Sequence, residues 1–159
     1  RKVVTSAASA SWPNATTDVN VLVSAYRPDH PHHLPARHWL DDTVRQAANG
    51  RASLQLLGMV VTGFVRITTH PKIFHEIDPL QDVTDFLDSL LSSAGVQFHA
   101  QGSVWPYFKE LCLTQQIRGN LVSDAWIAAT VMQSGETLCT FDRDFTRLLP
   151  SHQLILLKP

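Results

Sequence analysis

Three aspartates stand in surroundings that make them hard to treat as ordinary surface charge: Asp18 in Asp18-Val19-Asn20-Val21-Leu22-Val23, Asp124 in Val122-Ser123-Asp124-Ala125-Trp126-Ile127, and Asp142 in Thr140-Phe141-Asp142-Arg143-Asp144. A carboxylate beside a strongly apolar segment, as at Asp18, costs desolvation unless it has a partner. Gathered in one place, three carboxylates repel one another and raise one another's pKa values unless a cation shares the site. An all-aspartate set without His or Cys ligands suits Mg2+ or Mn2+, which take oxygen ligands, keep several waters and are completed by substrate phosphate. The matching chemistry is phosphodiester hydrolysis, in which such an ion activates water for in-line attack and neutralises charge on the scissile phosphate. Each residue taken singly has a plainer use. Asp124 can cap a helix or complement its dipole, and Asp142 and Asp144 can be turn residues before a short helix. The combination is what argues for a metal site.

For distant aspartates to meet, the elements around them must deliver them to one edge of a sheet. Short β-rich runs alternate with longer helical ones, the pattern of an α/β layer fold with a mostly parallel sheet. The sequence predicts strands at Val19–Val23, Leu54–Leu57, Val96–His99, Thr137–Thr140 and Gln153–Leu157. Helical spacing predicts helices at His32–Ala48, Met59–Thr68, Pro79–Ser92, Val104–Gln116, Leu121–Gln133 and Asp144–Leu148, the second of them almost wholly buried. In such a fold ligands collect at the carboxyl ends of the parallel strands, where all three aspartates are expected.

Composition sets the limits. A chain of 159 residues is the size of one domain, and 44% hydrophobic with 17% charged residues is enough apolar material for a packed interior. A net charge of -1 is not that of a dedicated phosphate-tracking protein, so any contact with RNA must be local. The two cysteines, Cys112 and Cys139, form no zinc spacing and fit a reducing cytoplasm. The longest apolar stretch, Leu54 to Val65, is too short for a membrane span. Residues 1–17 read as an N-terminal extension or an altered first strand, with Val3 and Val4 as possible contributors, and 18–159 as the domain.

Four segments, in order and at their spacing, carry a resemblance: Asp18-Val19-Asn20-Val21-Leu22-Val23, Phe64-Val65-Arg66-Ile67-Thr68-Thr69-His70-Pro71-Lys72-Ile73-Phe74, Asn120-Leu121-Val122-Ser123-Asp124-Ala125 and Thr140-Phe141-Asp142-Arg143-Asp144-Phe145. From about Asp18 to the C-terminus the chain resembles VapC-like PIN-domain toxins of the mycobacterial type. The resemblance implies a three-layer PIN-like α/β domain, a ribonuclease dependent on Mg2+ or Mn2+, a homodimer, and a cognate VapB-type antitoxin whose C-terminal segment covers the acidic site. Carried over by position, it makes Asp18, Asp124 and Asp142 metal-site carboxylates, with Asn20, Thr140 and Asp144 in support. One departure concerns Gly63, which stands where many PIN domains carry a glutamate; Asp144 is the nearest substitute and Glu76 a poorer one. A second is the segment Asn14-Ala15-Thr16-Thr17, where relatives carry an apolar strand.

Other residues have weaker claims. His30, His32, His33 and His38 cluster around one helix start without an opposing Cys or acidic motif, and read as surface or RNA-facing histidines. Arg27, Arg37, Arg66, Lys72, Arg118, Arg143 and Arg147 lie near the acidic motifs in sequence and form either a basic rim or ordinary surface charge; Arg66, inside an apolar helix, is expected to pair internally or with a partner. Trp12, Trp39, Trp105 and Trp126 are scattered, as packing residues are. There is no GxSxG motif and no glycine-rich phosphate loop. Two rival functions remain: an aspartate-nucleophile phosphohydrolase, in which Asn20 replaces the second aspartate of a DxDxT pattern, and a catalytically weakened PIN-like module that binds RNA or protein, supported by Gly63.

Overall fold

A computed structural model describes residues 13–159; Val3, Val4 and Trp12 lie outside the described residues. The chain forms a five-stranded, wholly parallel sheet between layers of helices, in the element order β1 (Ala15–Thr17), α1 (Val19–Tyr26), α2 (His33–Ala48), β2 (Leu54–Leu56), α3 (Gly58–Thr68), α4 (Leu80–Leu91), β3 (Val96–Phe98), α5 (Trp105–Gln115), α6 (Leu121–Ser134), β4 (Thr137–Thr140), α7 (Phe145–Leu148) and β5 (Leu154–Leu156). The strand order is β3-β2-β1-β4-β5. After β1 the chain runs outward to β2 and β3, then crosses back to place β4 on the other side of β1. The switch point of the sheet therefore falls between β1 and β4, where the crossovers diverge and leave a crevice.

The first strand corrects the sequence reading. Val19–Val23, expected to be a strand, is helix, and the strand is the preceding Ala15–Thr17. A short apolar run of this kind cannot be told from a buried helix by periodicity alone. Val21, Leu22, Val23 and Ala25 are all buried in α1. The true strand carries two threonines, yet it is buried at the centre of the sheet, and Thr16 Oγ1 donates to the Gln55 carbonyl at 2.7 Å to satisfy its hydroxyl. The domain thus begins before residue 18, and residues 15–17 belong to its middle.

The remaining elements follow their expected spans to within about two residues at each end. Helix α3 differs in burial: only Val60, Phe64 and Thr68 are buried, and the remainder of its surface is partly or fully exposed. α4 turns Val83, Leu87 and Leu90 inward, which leaves its aspartates in solvent. The core centres on Leu22, Leu40, Leu54, Leu56, Phe64, Leu138 and Phe145, drawn from both faces of the sheet. Gly135, at φ 72°, adopts the left-handed conformation that ends α6 and turns the chain into β4, a backbone state an L side chain strains to reach.

Candidate active site

Sheet register builds the site. β1 and β4 pair with Thr16 opposite Leu138 and Thr17 opposite Cys139, and the Asp18 N–H donates to the Cys139 carbonyl at 3.0 Å. This carries Asp18 past the end of β1 to sit beside Thr140 at the end of β4. The Thr140 hydroxyl donates to Asp18 Oδ2 at 2.8 Å. Asp18 Oδ1 accepts the Val19 N–H at 2.7 Å, which fixes the carboxylate at the start of α1. The Asn20 amide, two residues on, donates to Asp18 Oδ2 at 3.3 Å, and Asn20 Oδ1 accepts the Phe141 N–H at 3.4 Å across the gap between the strands. Thr140 Oγ1 in turn accepts the Asp142 N–H at 2.9 Å. Asn20 and Thr140, expected in supporting places, thus lie against Asp18.

Asp124 reaches the same cleft from the first turn of α6. Among the described residues its side chain makes no hydrogen bond, so it does not act as a capping group. Asp142 does both things that were open to it. It lines the cleft, and its Oδ1 accepts the Asp144 N–H at 2.9 Å to start α7. Asp144 itself stands at the N-terminus of α7, exposed and outside the cleft wall. Glu76 is exposed and away from the cleft; its carbonyl accepts from Arg27.

Burial and neighbouring negative charge perturb two of the carboxyls, Asp124 and Asp18. Partial burial pushes the Asp124 carboxyl up to about 6, and the charges of Asp18, Asp142 and Asp144 add to the shift. Burial likewise raises Asp18, against the opposing pull of the Thr140 and Val19 hydrogen bonds. Hydrogen bonds on both Asp18 oxygens fix the orientation of its carboxylate.

The cleft, of about 610 Å³, is walled by α1, α3 and the segment after it, and by α6. Gly63 lies in this wall, and a Cβ built there would stand 3.0 Å from Val19 Cγ2. Arg66 is the one residue of the expected basic rim that lines the cleft. Arg27 is instead buried, bonded through Nη1 to the Glu76 carbonyl at 2.9 Å and Asp78 at 2.7 Å and through Nη2 to Asp29 at 2.7 Å, with its guanidinium 4.2 Å from the Phe74 ring centroid. Arg37 pairs with Asp41 on the surface. Ile73 and Phe74, given no site role from sequence, also line the wall, as does His30, one of the histidines read as surface or RNA-facing. Ile73 and Phe74 stand inside the Arg66-containing segment that carries the resemblance, and His30 just before the start of α2.

The chain matches the PIN domain family over residues 15–148. It is 33% identical over 131 residues to the VapC ribonuclease Mb2897 of Mycobacterium bovis, covering 82% of this chain and 86% of that protein. It is 31% identical over 134 residues to ribonuclease VapC25 of Mycobacterium tuberculosis, covering 82% and 89% of the two chains. Among solved structures, a chain of VapBC2 from Rickettsia felis, bound to a DNA fragment from its promoter, aligns with a TM-score of 0.60 at 21% identity, covering 91% of this chain and 98% of that one.

Proposed function

The chain belongs to the PIN-domain family, among the VapC ribonucleases, and on that premise we propose that it is the toxin of a VapBC-type pair, cleaving RNA in the cytoplasm with Mg2+ or Mn2+. The observation that carries this reading is the convergence of Asp18, Asp124 and Asp142 on one cleft at the β1/β4 switch point, with Asp124 pushed up to about 6 by burial and then by the neighbouring carboxylates. A cleft into which three carboxylates converge, with no Cys among its lining residues, fits a hard divalent cation. Among the described residues no three His, Cys, Asp or Glu side chains are spaced to enclose an ion by themselves. Such a cation is ordinarily held by one or two carboxylates and completed by water and phosphate, so an open donor set is compatible with it.

Asp18, Asp124 and Asp142 would hold the ion. When bound, it supplies charge neutralisation at the scissile phosphate and activation of water. The chain's own residues do the rest. Thr140 and Asn20 orient the Asp18 carboxylate, the Asp142–Asp144 turn fixes Asp142, and Arg66 on α3 offers a cationic fork to RNA phosphate at the cleft mouth. Incubation with total RNA, with and without Mg2+ or Mn2+, followed by mapping of the cut ends, tests the reading. Metal-dependent 5′ and 3′ ends at defined sites are expected, and RNA left intact under both conditions overturns it.

A partner antitoxin of the VapB kind, seated over the acidic cleft, and a homodimer complete the proposal. The exposed Trp105 and Leu113, on one side of α5, offer apolar surface for such an assembly, whereas α4 keeps its apolar side inward apart from Leu80. One observation favours a second reading: Gly63 faces the cleft where family members carry a carboxylate. On that reading the protein binds RNA or its partner without cutting, and the same incubation separates the two.

A further inference from the structure

We propose that His30 is a substrate-positioning residue whose Nε2–H donates to a phosphate oxygen of the RNA strand lying in the cleft. The inference rests on the ribonuclease reading but goes beyond its acidic centre. His30 lies in the turn between α1 and α2 and forms part of the cleft wall. Its Nδ1 accepts the backbone N–H of His32 at 3.1 Å. A ring nitrogen that accepts a hydrogen bond cannot carry a proton, so the neutral ring is fixed in the Nε2–H form and Nε2 is its remaining polar edge.

The turn that presents this ring is itself held from several sides. The His30 N–H donates to the Arg27 carbonyl at 3.0 Å, and the His33 N–H to the His30 carbonyl at 3.0 Å. His33 Nδ1 lies 2.8 Å from the Ser24 carbonyl. The His32 ring packs on Phe141 with centroids 4.8 Å apart, so the N–H that fixes His30 is anchored to the residue next to Asp142. Position, tautomer and distance from the acidic floor are therefore set before substrate arrives, which is the condition for a positioning contact. Burial, reinforced by His32, lowers the His30 pKa, which keeps the ring uncharged and leaves the carboxylates without a histidinium partner. An uncharged donor in a cleft with an acidic floor suits an anionic acceptor, since a hydrogen bond to a charged oxygen is about twice as strong as a neutral one.

The test uses the full chain and a single-stranded RNA oligonucleotide, with binding read by fluorescence anisotropy in EDTA and cleavage read separately with Mn2+. His30→Ala is expected to weaken RNA binding about tenfold, the loss of one hydrogen bond to a charged group. His30→Gln, whose amide N–H sits near the place of Nε2–H, is expected to stay within about threefold of wild type. With Mn2+ the His30→Ala loss should fall on KM with kcat little changed. Unchanged binding by His30→Ala overturns the proposal, as does an equal loss in both variants accompanied by a lowered Tm, which would mark a purely structural residue. Weakened antitoxin binding with RNA binding intact overturns it in favour of a protein contact. If both variants fail to fold, the wild-type His30 ring nitrogens, followed by NMR, decide: a shift of Nε2 on adding the oligonucleotide supports the contact and no shift removes it. Because binding is read without metal, a chain that binds through His30 and does not cut refutes the nuclease reading alone.

Discussion

The Thr140 hydroxyl donates to Asp18 Oδ2 at 2.8 Å while accepting the Asp142 N–H at 2.9 Å, so a single fully buried side chain ties the Asp18 carboxylate to the backbone of Asp142, a second aspartate of the cleft. It stands on the strand next to the one that delivers Asp18, and its position follows from the β1–β4 register.

Thr140→Val keeps the shape and removes both bonds, together with the weaker one that Thr140 Oγ1 accepts from the Asn20 amide at 3.4 Å. The Asp142 N–H loses its acceptor and Asp18 loses a donor in a desolvated place, at a cost of about 1–3 kcal/mol. Urea denaturation should show the midpoint shifted down with the slope unchanged. RNA cleavage should fall at least as far as stability does, since Asp18 loses its orientation. A variant as stable and active as wild type would remove Thr140 from the site.

Asp124→Asn separates ligand from structural residue. The Asp124 carboxyl is raised from 3.8 to about 6 in the folded, metal-free protein. A raised carboxyl contributes stability that is present below its unfolded value and lost as pH rises through its folded value. The Tm of the metal-free wild type should therefore fall relative to Asp124→Asn between about pH 4 and pH 6.5, leaving the variant more stable at neutral pH by about 1 kcal/mol, discounted because the group is half-exposed. Cleavage and Mn2+ binding should collapse in the same variant. Calorimetric scans across this pH range, with cleavage assays alongside, check both halves; near wild-type cleavage would take Asp124 out of the mechanism.

Gly63→Glu restores a carboxylate where family members carry one. Its Cβ meets Val19 Cγ2 at 3.0 Å, a contact the valine can relieve by a few tenths of an ångström. The added charge beside Asp18, Asp124 and Asp142 should lower metal-free stability by about 1 kcal/mol and tighten Mn2+ binding severalfold in isothermal titration. Weaker or unchanged Mn2+ binding would show that the Gly63 position does not face the ion.

Arg27→Lys tests the clamp behind the cleft. The arginine spans the Glu76 carbonyl, Asp78 and Asp29 and covers Phe74, and a single ammonium cannot reproduce that fork. Because Phe74 and Ile73 line the cleft, loosening the segment should raise KM for RNA and expose residues 69–79 to limited proteolysis, with about 2 kcal/mol lost in stability. An unchanged proteolytic pattern would show that other contacts hold the segment.

The sequence by itself determined the α/β class, the helix and strand spans after residue 50, and three aspartates that the fold brings to one cleft, because apolar periodicity, breakers such as Gly135 and an acidic residue beside an apolar run are local properties. The four ordered segments carried the family as well. It could not determine which stretch is the first strand, since Ala15–Thr17 is polar by composition and its burial is imposed by neighbours on both sides, while Val19–Tyr26 is apolar enough to be either element. Only the tertiary structure decided which neighbours act with the aspartates. The β1–β4 register brings Thr140 to Asp18 across 122 positions of sequence. The crossover after β3 swings α6 over the switch point and puts Asp124 beside them, and the α1–α2 turn brings His30 to the same cleft while Arg27 is drawn inside. Contacts between residues far apart in the chain depend on how strands pair and helices pack, and no window of local sequence contains that information.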